Sequence, residues 1–335
     1  MVEDLRSGKG FASSPETVLL LDSFEGPVDP SAVADSLPDY DRGSVLRSIG
    51  KLRRLGLLIP EGEGRRRRSR IEAWKGNLAS VRYHLASRDI PYVTSPAAVD
   101  RFLEVRLAVR RPPPRFKRYR DATIRTLPGG PAPEGAAVLE RVLAARRTVR
   151  EFDRRPVPLV DLAATVRGTW GRTGWLDAGV FGRLPRKTSP SAGSLHPIEC
   201  YLLAWNVSGL PAGLYHYDVA SDALRRLRSG NLRAAAVRAA SGQAWVGRAA
   251  FVCVMTAVFE RTLWKYQIES AYRVLWLDAG HLAQTFCLLA TSRGLGPFTT
   301  AAIQDTFLEK LIGLDGVEEF AVYLCGAGVP ARRGA

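Results

Sequence analysis

The chain has 335 residues, 46% apolar and 24% charged, which is typical of a globular protein long enough for two domains. Its 48 lysines and arginines exceed its 33 aspartates and glutamates by 48 − 33 = 15, so anionic partners such as nucleic acid, acidic peptides or phosphate-bearing molecules are favoured. The longest apolar runs are too short to cross a bilayer, and the N-terminus lacks the apolar core of a signal peptide. A cytoplasmic protein without membrane contact is therefore predicted.

Three short helices are predicted between residues 14 and 60. Ser14 can cap the first, Asp29 precedes a proline that opens the second, and Asp41 opens the third. Apolar residues of the third helix fall at helical spacing; they are Val45, Ile49, Leu52 and Leu55. The stretch GLLIPEGEG that follows indicates a small hairpin. Together these elements predict a winged-helix-like domain over residues 1–75, a shape that serves either DNA binding or the docking of a peptide or partner protein.

Residues 76–135 are predicted to form an irregular connector that wraps over the rest of the protein. RRPPPRFKRYR (110–120) and LPGGPAPEG (127–135) contain too much proline and glycine for a regular helix or a central strand. This first run and a second basic run, GRRRRSR (64–70), lack the aromatic spacing of a surface that binds single strands. The two basic runs are therefore interpreted as charged, solvated linkers in preference to a nucleic-acid site.

From residue 136 onward the pattern predicts a denser α+β or α/β body. AAVLERVLAARR and PVPLVDLAATVRGTWG have amphipathic helical spacing, and the long apolar helix ESAYRVLWLDAGHLAQTFCLLATSRGLG is expected to stop at Gly294. Four stretches are predicted strands: HPIECYLLAW, GLYHYD, FVCVMTAVF and FAVYLCGAG. The third is almost continuously apolar, which indicates a strand buried on both faces.

Metal chemistry is not predicted. The four cysteines lie in apolar stretches without a CxxC pair, as expected of small buried side chains; they are Cys200, Cys253, Cys287 and Cys325. The four histidines show no HExxH pattern or other ligand spacing.

The segment RRTVREF (146–152) places three arginines around a threonine. A solvated basic helix end is one interpretation, since cations near a helix C-terminus interact favourably with its dipole. An anion site is the other, because guanidinium groups and a hydroxyl suit a phosphate or an electron-rich ring carbonyl. The residues concerned are Arg146, Arg147, Thr148 and Arg150.

Three further stretches are candidates for a functional role. The backbone of SPSAGSLHP (189–197) can approach a flat or phosphorylated ligand, although the stretch also fits an ordinary turn. SRGLGPF (292–298) fits a helix C-cap. In WKYQIESAYR (264–273), Lys265 stands beside Tyr266, and because a cation next to a phenol favours the phenolate, this pair is a candidate general base.

These motifs resemble, in their order, those of the SagB-type dehydrogenases, a branch of the nitroreductase-like flavoproteins. The matching stretches are RRTVREF, SPSAGSLHPIECYLLAW, GLYHYD, KYQIESAYRVLWLDAGHLAQTFCLLATSRGLG and GLDGVEEFAVYLCGAG. Upstream, EAWKGNLASVRYHLASRD and PPPRFKRY resemble the segment that precedes the flavin domain in that branch, so the resemblance covers residues 70–328. It implies an α+β flavin domain over residues 136–335, with a mixed sheet flanked by helices in a homodimer, after the winged-helix-like domain.

The resemblance also implies FMN as the cofactor. Arg146, Thr148 and Arg150, with Arg147 as a neighbour, would contact the ribityl phosphate and the pyrimidine edge of the flavin. The loop against the isoalloxazine ring would comprise Pro190, Ser191, Ala192, Gly193 and Ser194. Further backbone contacts would come from Gly294, Leu295 and Gly296.

By the same resemblance, Lys265 and Tyr266 are the catalytic pair, and Tyr266 is the predicted base. The implied reaction is the oxidation of thiazoline or oxazoline rings in a ribosomally made peptide to thiazole or oxazole. The implied partners are a precursor peptide and a separate cyclodehydratase, and the basic charge of this chain would suit an acidic leader.

One departure from the family pattern concerns the phosphate contact. Where relatives place a glycine-containing loop, this chain has TTAAIQD (299–305), and Arg332 or Arg333 could supply the missing cation.

Three other functions stay open: a flavin oxidoreductase acting on another peptide or small molecule, a DNA-binding regulator, and a flavin-free scaffold. Rapid reduction by NAD(P)H would favour the first, and salt-sensitive DNA binding would favour the second.

Overall fold

The computed structural model of the chain forms two compact units. It describes residues 2–4, 9–11, 14–24, 26–54, 57, 58, 60, 61, 74, 77–92, 95–109, 112, 130 and 133–331. The first unit comprises Met1–Arg88 and Phe259–Arg273, and the second comprises Asp89–Val258 and Val274–Ala335. Several predicted features lie outside the described residues: the basic run 64–70, the run 110–120 except Pro112, most of GLLIPEGEG and of LPGGPAPEG, and the tail arginines Arg332 and Arg333.

The N-terminal part of the first unit contains the three predicted helices, α1 (Pro15–Asp22), α2 (Pro30–Asp35) and α3 (Arg42–Arg54). Their predicted caps are confirmed, since Ser14, Asp29 and Asp41 each accept a backbone N–H of the following helix. The helices bury a shared apolar core of Leu20, Val33, Ala34, Val45, Ile49 and Leu52. A short antiparallel hairpin that the sequence pattern does not predict, β1 (Val2–Asp4) and β2 (Lys9–Phe11), precedes them.

The expectation that residues 76–135 are irregular is wrong for their first part. The structure has two helices there, α4 (Leu78–Ala86) and α5 (Pro96–Val109). The proline-rich stretch begins only after Val109, and Pro96 stands at the start of α5, where its missing N–H costs nothing. The proline-rich composition therefore predicts irregular chain only for the residues after Val109.

The second unit alternates helices with strands. Its helices are α5, α6 (Glu134–Ala145), α7 (Leu159–Trp170), α8 (Arg233–Ala239), most of α10 (Ala271–Ser292) and α11 (Asp305–Ile312), while α9 (Glu260–Leu263) belongs to the first unit. Its strands are β3 (Val157–Pro158), β4 (Arg172–Asp177), β5 (Arg183–Lys187), β6 (Ile198–Ala204), β7 (Val207–Ser208), β8 (Gly213–Asp218), β9 (Ala223–Ser229), β10 (Phe251–Val258), β11 (Gly296–Thr300) and β12 (Glu319–Gly328). The predicted α+β fold is confirmed.

Six of these strands form the central sheet, in the order β11-β12-β10-β6-β8-β9. Every pairing in it is antiparallel, so the prediction of a mixed sheet is wrong for the described strands. The reason lies in the connections: β6, β8 and β9 follow one another as hairpin neighbours, which can only pair antiparallel. The parallel pair, β3 with β7, lies outside this sheet.

The centre of the sheet is buried on both faces, as predicted for FVCVMTAVF. Residues 251–257 of β10 are all buried, between β12 on one side and β6 on the other. The four cysteines are also buried, which agrees with the prediction that they are small apolar side chains. None of the helices in the part of the chain that the structure describes is long and apolar enough to span a membrane.

Candidate functional site

The arginine segment leaves helix α6 as extended chain. Arg147 donates from its guanidinium to the carbonyls of Ala144 and Arg146 at 2.7 and 2.8 Å, so this arginine satisfies the open carbonyls at the helix end. The guanidinium carbon of Arg150 lies 5.5 Å from the ring centroid of Trp245. Arg150 and Thr148 are exposed and Arg146 is half-buried. Arg147 therefore serves the helix end, as the first interpretation of the motif predicts, while Arg146 and Arg150 keep exposed surface.

The segment packs directly on the predicted GLG turn. The N–H of Val149 donates to the carbonyl of Pro297 at 2.9 Å, and a Cβ on Gly296 would lie 2.8 Å from the side chain of Val149. Gly294 has a φ of +70°, the left-handed conformation of a helix C-cap, and the N–H of Leu295 reaches back to the carbonyl of Ala290 at 2.9 Å. The structure thus brings together two motifs that the sequence separates.

We expect Gly296→Ala to destabilise the protein, because the new methyl group would overlap Val149 in a packed contact. The expected loss in the free energy of unfolding is about 1–3 kcal/mol, measured by urea denaturation. Gly280→Ala is the control: a Cβ at this helical glycine meets no atom within 4 Å, so a gain of about 0.5–1 kcal/mol is expected. Equal effects of the two substitutions would contradict the contact.

The loop 190–194 has a strained backbone. Gly193, Ser194 and His196 all have positive φ angles, of 63°, 58° and 44°. This conformation is costly for the two residues that are not glycine, and such strain concentrates at functional sites. Hydrogen bonds hold it: the hydroxyl of Ser194 and Nε2 of His196 both donate to the carbonyl of Pro185, at 2.8 and 3.0 Å.

A buried carboxylate that sequence reasoning missed supports the same loop. Asp278, on helix α10, is 4% exposed and accepts a hydrogen bond from the hydroxyl of Ser191 at 2.5 Å. The same hydroxyl oxygen accepts the N–H of His196 at 3.0 Å. Burial raises the pKa of Asp278, while the bond from Ser191 and the charge of His281 oppose this rise. One signal could have revealed the residue, namely a lone acidic side chain in an otherwise apolar helix.

The raised pKa of Asp278 predicts a pH dependence of stability. A carboxyl whose folded-state pKa lies above its ordinary value of 3.8 loses stabilisation as the pH rises through the folded-state pKa. Asp278→Asn removes this ionisation and keeps an acceptor for Ser191. We therefore expect the thermal midpoint of the variant to gain on wild type as the pH rises through the range above the ordinary carboxyl pKa of 3.8. A difference that is constant over this range would contradict the assignment.

Helix α10 is the common support of the 190–194 loop, the GLG turn and the surroundings of Arg146. It carries Asp278, which bonds the 190–194 loop, and Thr285, whose hydroxyl lies 2.6 Å from that of Ser189. Burial raises the pKa of Cys287 to about 11, and the opposing cause is the nearby charge of Arg146. The helix ends in the GLG turn. Arg146, the 190–194 loop and the turn are therefore organised around one element.

Lys265 and Tyr266 belong to the first unit, in the segment Phe259–Arg273. The ammonium nitrogen of Lys265 lies 5.3 Å from the ring centroid of Tyr266, so the two predicted catalytic residues are in contact range of each other. Lys265 is exposed and Tyr266 is half-buried. The backbone N–H of Tyr266 donates to the carbonyl of Thr262 at 2.9 Å, which continues the short helix α9 by a turn.

The second unit also contains a pocket of about 670 Å³ that was not predicted. Three of its residues are arginines, which makes the lining basic and suited to an anion. The lining residues are Phe152, Asp153, Arg154, Trp205, Asn206, Asn231, Arg233, Gly247, Arg248 and Ala249. None of the residues predicted to bind flavin is among them.

Three known proteins are similar in sequence to this chain over different lengths. The trifolitoxin operon protein TfxC of Rhizobium leguminosarum bv. trifolii is 26% identical over 89% of this chain and 85% of its own length. The candidate nitroreductase MJ1384 of Methanocaldococcus jannaschii is 30% identical over 57% of this chain and 90% of its own length. The microcin B17-processing protein McbC of Escherichia coli is 31% identical over 39% of this chain and 49% of its own length.

The family match covers the motifs around helix α10. Residues 143–329 match the Nitroreductase family, a range that includes the arginine segment, the 190–194 loop and the GLG turn. More than half of the chain lies within it. The resemblance seen in the motifs is thus confirmed, and the chain belongs to the nitroreductase family.

Proposed function

We propose that this protein is an FMN-dependent dehydrogenase that oxidises thiazoline or oxazoline rings of a ribosomally made peptide to thiazole or oxazole. The observation that carries the proposal is that the chain contains two sets of residues. One is the arginine segment with the 190–194 loop around helix α10, which suits an anion and a flat ring, and the other is the pair Lys265 and Tyr266. Support also comes from relatives, since TfxC is named as a trifolitoxin operon protein and McbC as a microcin B17-processing protein.

The residues around helix α10 fit a flavin. Arg146 and Arg150 offer guanidinium groups to a phosphate and to the electron-rich pyrimidine edge, and Thr148 offers a hydroxyl beside them. The strained 190–194 loop presents backbone and small side chains suited to a flat ring. When bound, FMN supplies the two-electron acceptor of the reaction.

Lys265 and Tyr266 are proposed to handle the proton. Aromatisation of an azoline removes a hydride from one ring carbon and a proton from its neighbour, so a base must accept the proton. Tyr266 takes it at its side-chain oxygen, and the ammonium of Lys265 lies 5.3 Å from the ring centroid of that base. The phenol then returns the proton to solvent, which its half-buried position allows.

The proposed partners follow from the substrate. The azoline ring must be made first by a cyclodehydration of the peptide, so a separate cyclodehydratase supplies it. Residues 1–75 are proposed to dock the leader or that enzyme, and the net charge of +15 suits an acidic leader. A homodimer of the domain 136–335 is supported by apolar side chains exposed on its helices; they include Val138, Leu139, Leu143, Trp276 and Leu277.

The test is a spectrum followed by a peptide assay. The purified protein should absorb as a flavoprotein and release FMN on heating, and an azoline peptide should lose two hydrogen atoms per ring by mass spectrometry. A colourless protein that fails to bind added FMN would contradict the proposed dehydrogenase function.

The relation to MJ1384 supports a second candidate, reduction of a nitro compound or quinone by NAD(P)H. Fast flavin reduction by NAD(P)H, together with inert azoline peptide, would favour it.

A further inference from the structure

The loop that carries Lys265 and Tyr266 is closed at its base by one tryptophan. Phe259 before the loop and Tyr272 after it are 1% and 5% exposed. The ring of Trp74 contacts both, with centroids 4.7 Å from Phe259 and 5.5 Å from Tyr272, and the latter two rings lie 5.6 Å apart. Trp74 is itself 2% exposed. A single residue from the N-terminal part of the chain thus joins both ends of the loop.

A second contact lies closer to the catalytic pair. Ser80, on helix α4, donates its backbone N–H to the carboxylate of Glu269 at 3.2 Å. The Ser80 hydroxyl lies 3.0 Å from both the backbone carbonyl and the carboxylate of Glu269. Ser80 is 6% exposed whereas Glu269 is exposed, so these bonds are partly buried. Glu269 follows Tyr266 by three residues, and its backbone is therefore held directly from α4.

The third contact fixes the far end of the loop through a histidine. Nη1 of Arg88 lies 2.9 Å from Nε2 of His84, and because a guanidinium only donates, Nε2 must accept. The proton of the neutral ring is then on Nδ1, which donates to the hydroxyl of Tyr272 at 3.1 Å. His84 is buried beside Trp74, with ring centroids 5.1 Å apart. The arrangement defines one tautomer of His84 and one position of Tyr272.

Between these anchors the loop is exposed, and Trp264 and Ile268 show 58% and 57% of their surface. We propose that Trp74 and helix α4 position the catalytic loop, with Ser80 and His84 as positioning residues for Lys265 and Tyr266. This inference rests on the proposed function, because it assumes that the pair acts on substrate. It assigns the N-terminal part of the chain a role in the chemistry in addition to docking.

The test compares two disruptive variants with two matched controls in the full-length protein. Ser80→Ala removes the hydroxyl contact to Glu269. Ser87→Ala is its control directly after the same helix, where the hydroxyl donates to the carbonyl of His84. His84→Leu removes both ring bonds. His84→Gln keeps an oxygen that accepts from Arg88 and an amide that donates to Tyr272, and it should restore function.

We expect kcat on azoline peptide to fall on the order of 10-fold to 100-fold in Ser80→Ala and His84→Leu, as small displacements of catalytic groups do. KM should stay within about twofold and the flavin content unchanged. Hydrogen exchange of residues 264–270 should be faster in both variants, and both controls should match wild type.

Two results would overturn the inference: unchanged exchange in both disruptive variants, or faster exchange with an unchanged kcat. Failure of the proposed function is a separate result, because wild type itself would then leave azoline peptide unchanged. Exchange of 264–270 in the four variants would in that case still decide whether α4 holds the loop. If a variant has a lower thermal midpoint, its kcat and hydrogen exchange are compared with those of Trp74→Phe, which keeps an aromatic ring at the base of the loop.

Discussion

Tyr266→Phe should nearly abolish oxidation of azoline peptide while leaving bound FMN unchanged. The substitution removes only the hydroxyl that accepts the ring proton, and general-base catalysis contributes on the order of 10²-fold to 10⁴-fold to a rate. Lys265→Ala should act in the same direction, because it removes the ammonium that lies 5.3 Å from the ring centroid of the proposed base. The measurements are kcat by mass spectrometry and the ratio of flavin to protein by absorbance.

Controls for this pair are available elsewhere in the chain. Tyr40→Phe removes a hydroxyl from an exposed tyrosine of the N-terminal part, and Lys310→Ala removes an exposed ammonium from helix α11. Both should keep the wild-type rate. If Tyr266→Phe and Lys265→Ala also kept it, the pair would have no part in the mechanism.

Arg150→Ala and Arg146→Ala should each weaken FMN binding by about 10-fold to 100-fold. A hydrogen bond to a charged group contributes about 1.5–3 kcal/mol, and each 1.4 kcal/mol corresponds to about a tenfold change in Kd. Arg150 is exposed and Arg146 is half-buried beside helix α10, so both can reach a bound anion without prior desolvation of a deep site. Quenching of flavin fluorescence on titration with apoprotein measures the Kd.

Arg141→Ala is the matched control, since this exposed arginine stands on helix α6 shortly before the segment. It should leave the Kd within about twofold of wild type. An equal loss in all three variants would indicate a general effect of net charge on an anionic ligand, and it would contradict specific anchoring by Arg146 and Arg150.

The N-terminal helices show what local sequence signals can predict. Ser14, Asp29 and Asp41 were identified as caps because a cap acts on N–H groups two or three residues away. Helices α4 and α5 were missed for the converse reason. Their apolar residues show only weak helical spacing, and the nearby proline-rich stretch dominates the composition of residues 76–135.

The sheet and the buried carboxylate required more than local signals. The composition of FVCVMTAVF predicted a strand buried on both faces, but the antiparallel pairing of all six strands depends on which strands become neighbours. Asp278 could be read as a polar residue in an apolar helix, yet its partner Ser191 lies 87 positions away. No pattern within a helix turn or a strand contains that information.

The sequence by itself determined the capped and strongly amphipathic helices, four strands of the central sheet, the ordered motifs and hence the nitroreductase family, because spacing, capping and composition are properties of neighbouring residues. Only the tertiary structure decided that Val149 packs on Gly296, that Asp278 holds the 190–194 loop, and that Ser80 bonds Glu269 across 189 positions. The physical reason is that such contacts form only after the chain has paid the entropy of closing long loops, so their partners are selected by the packing of the whole unit.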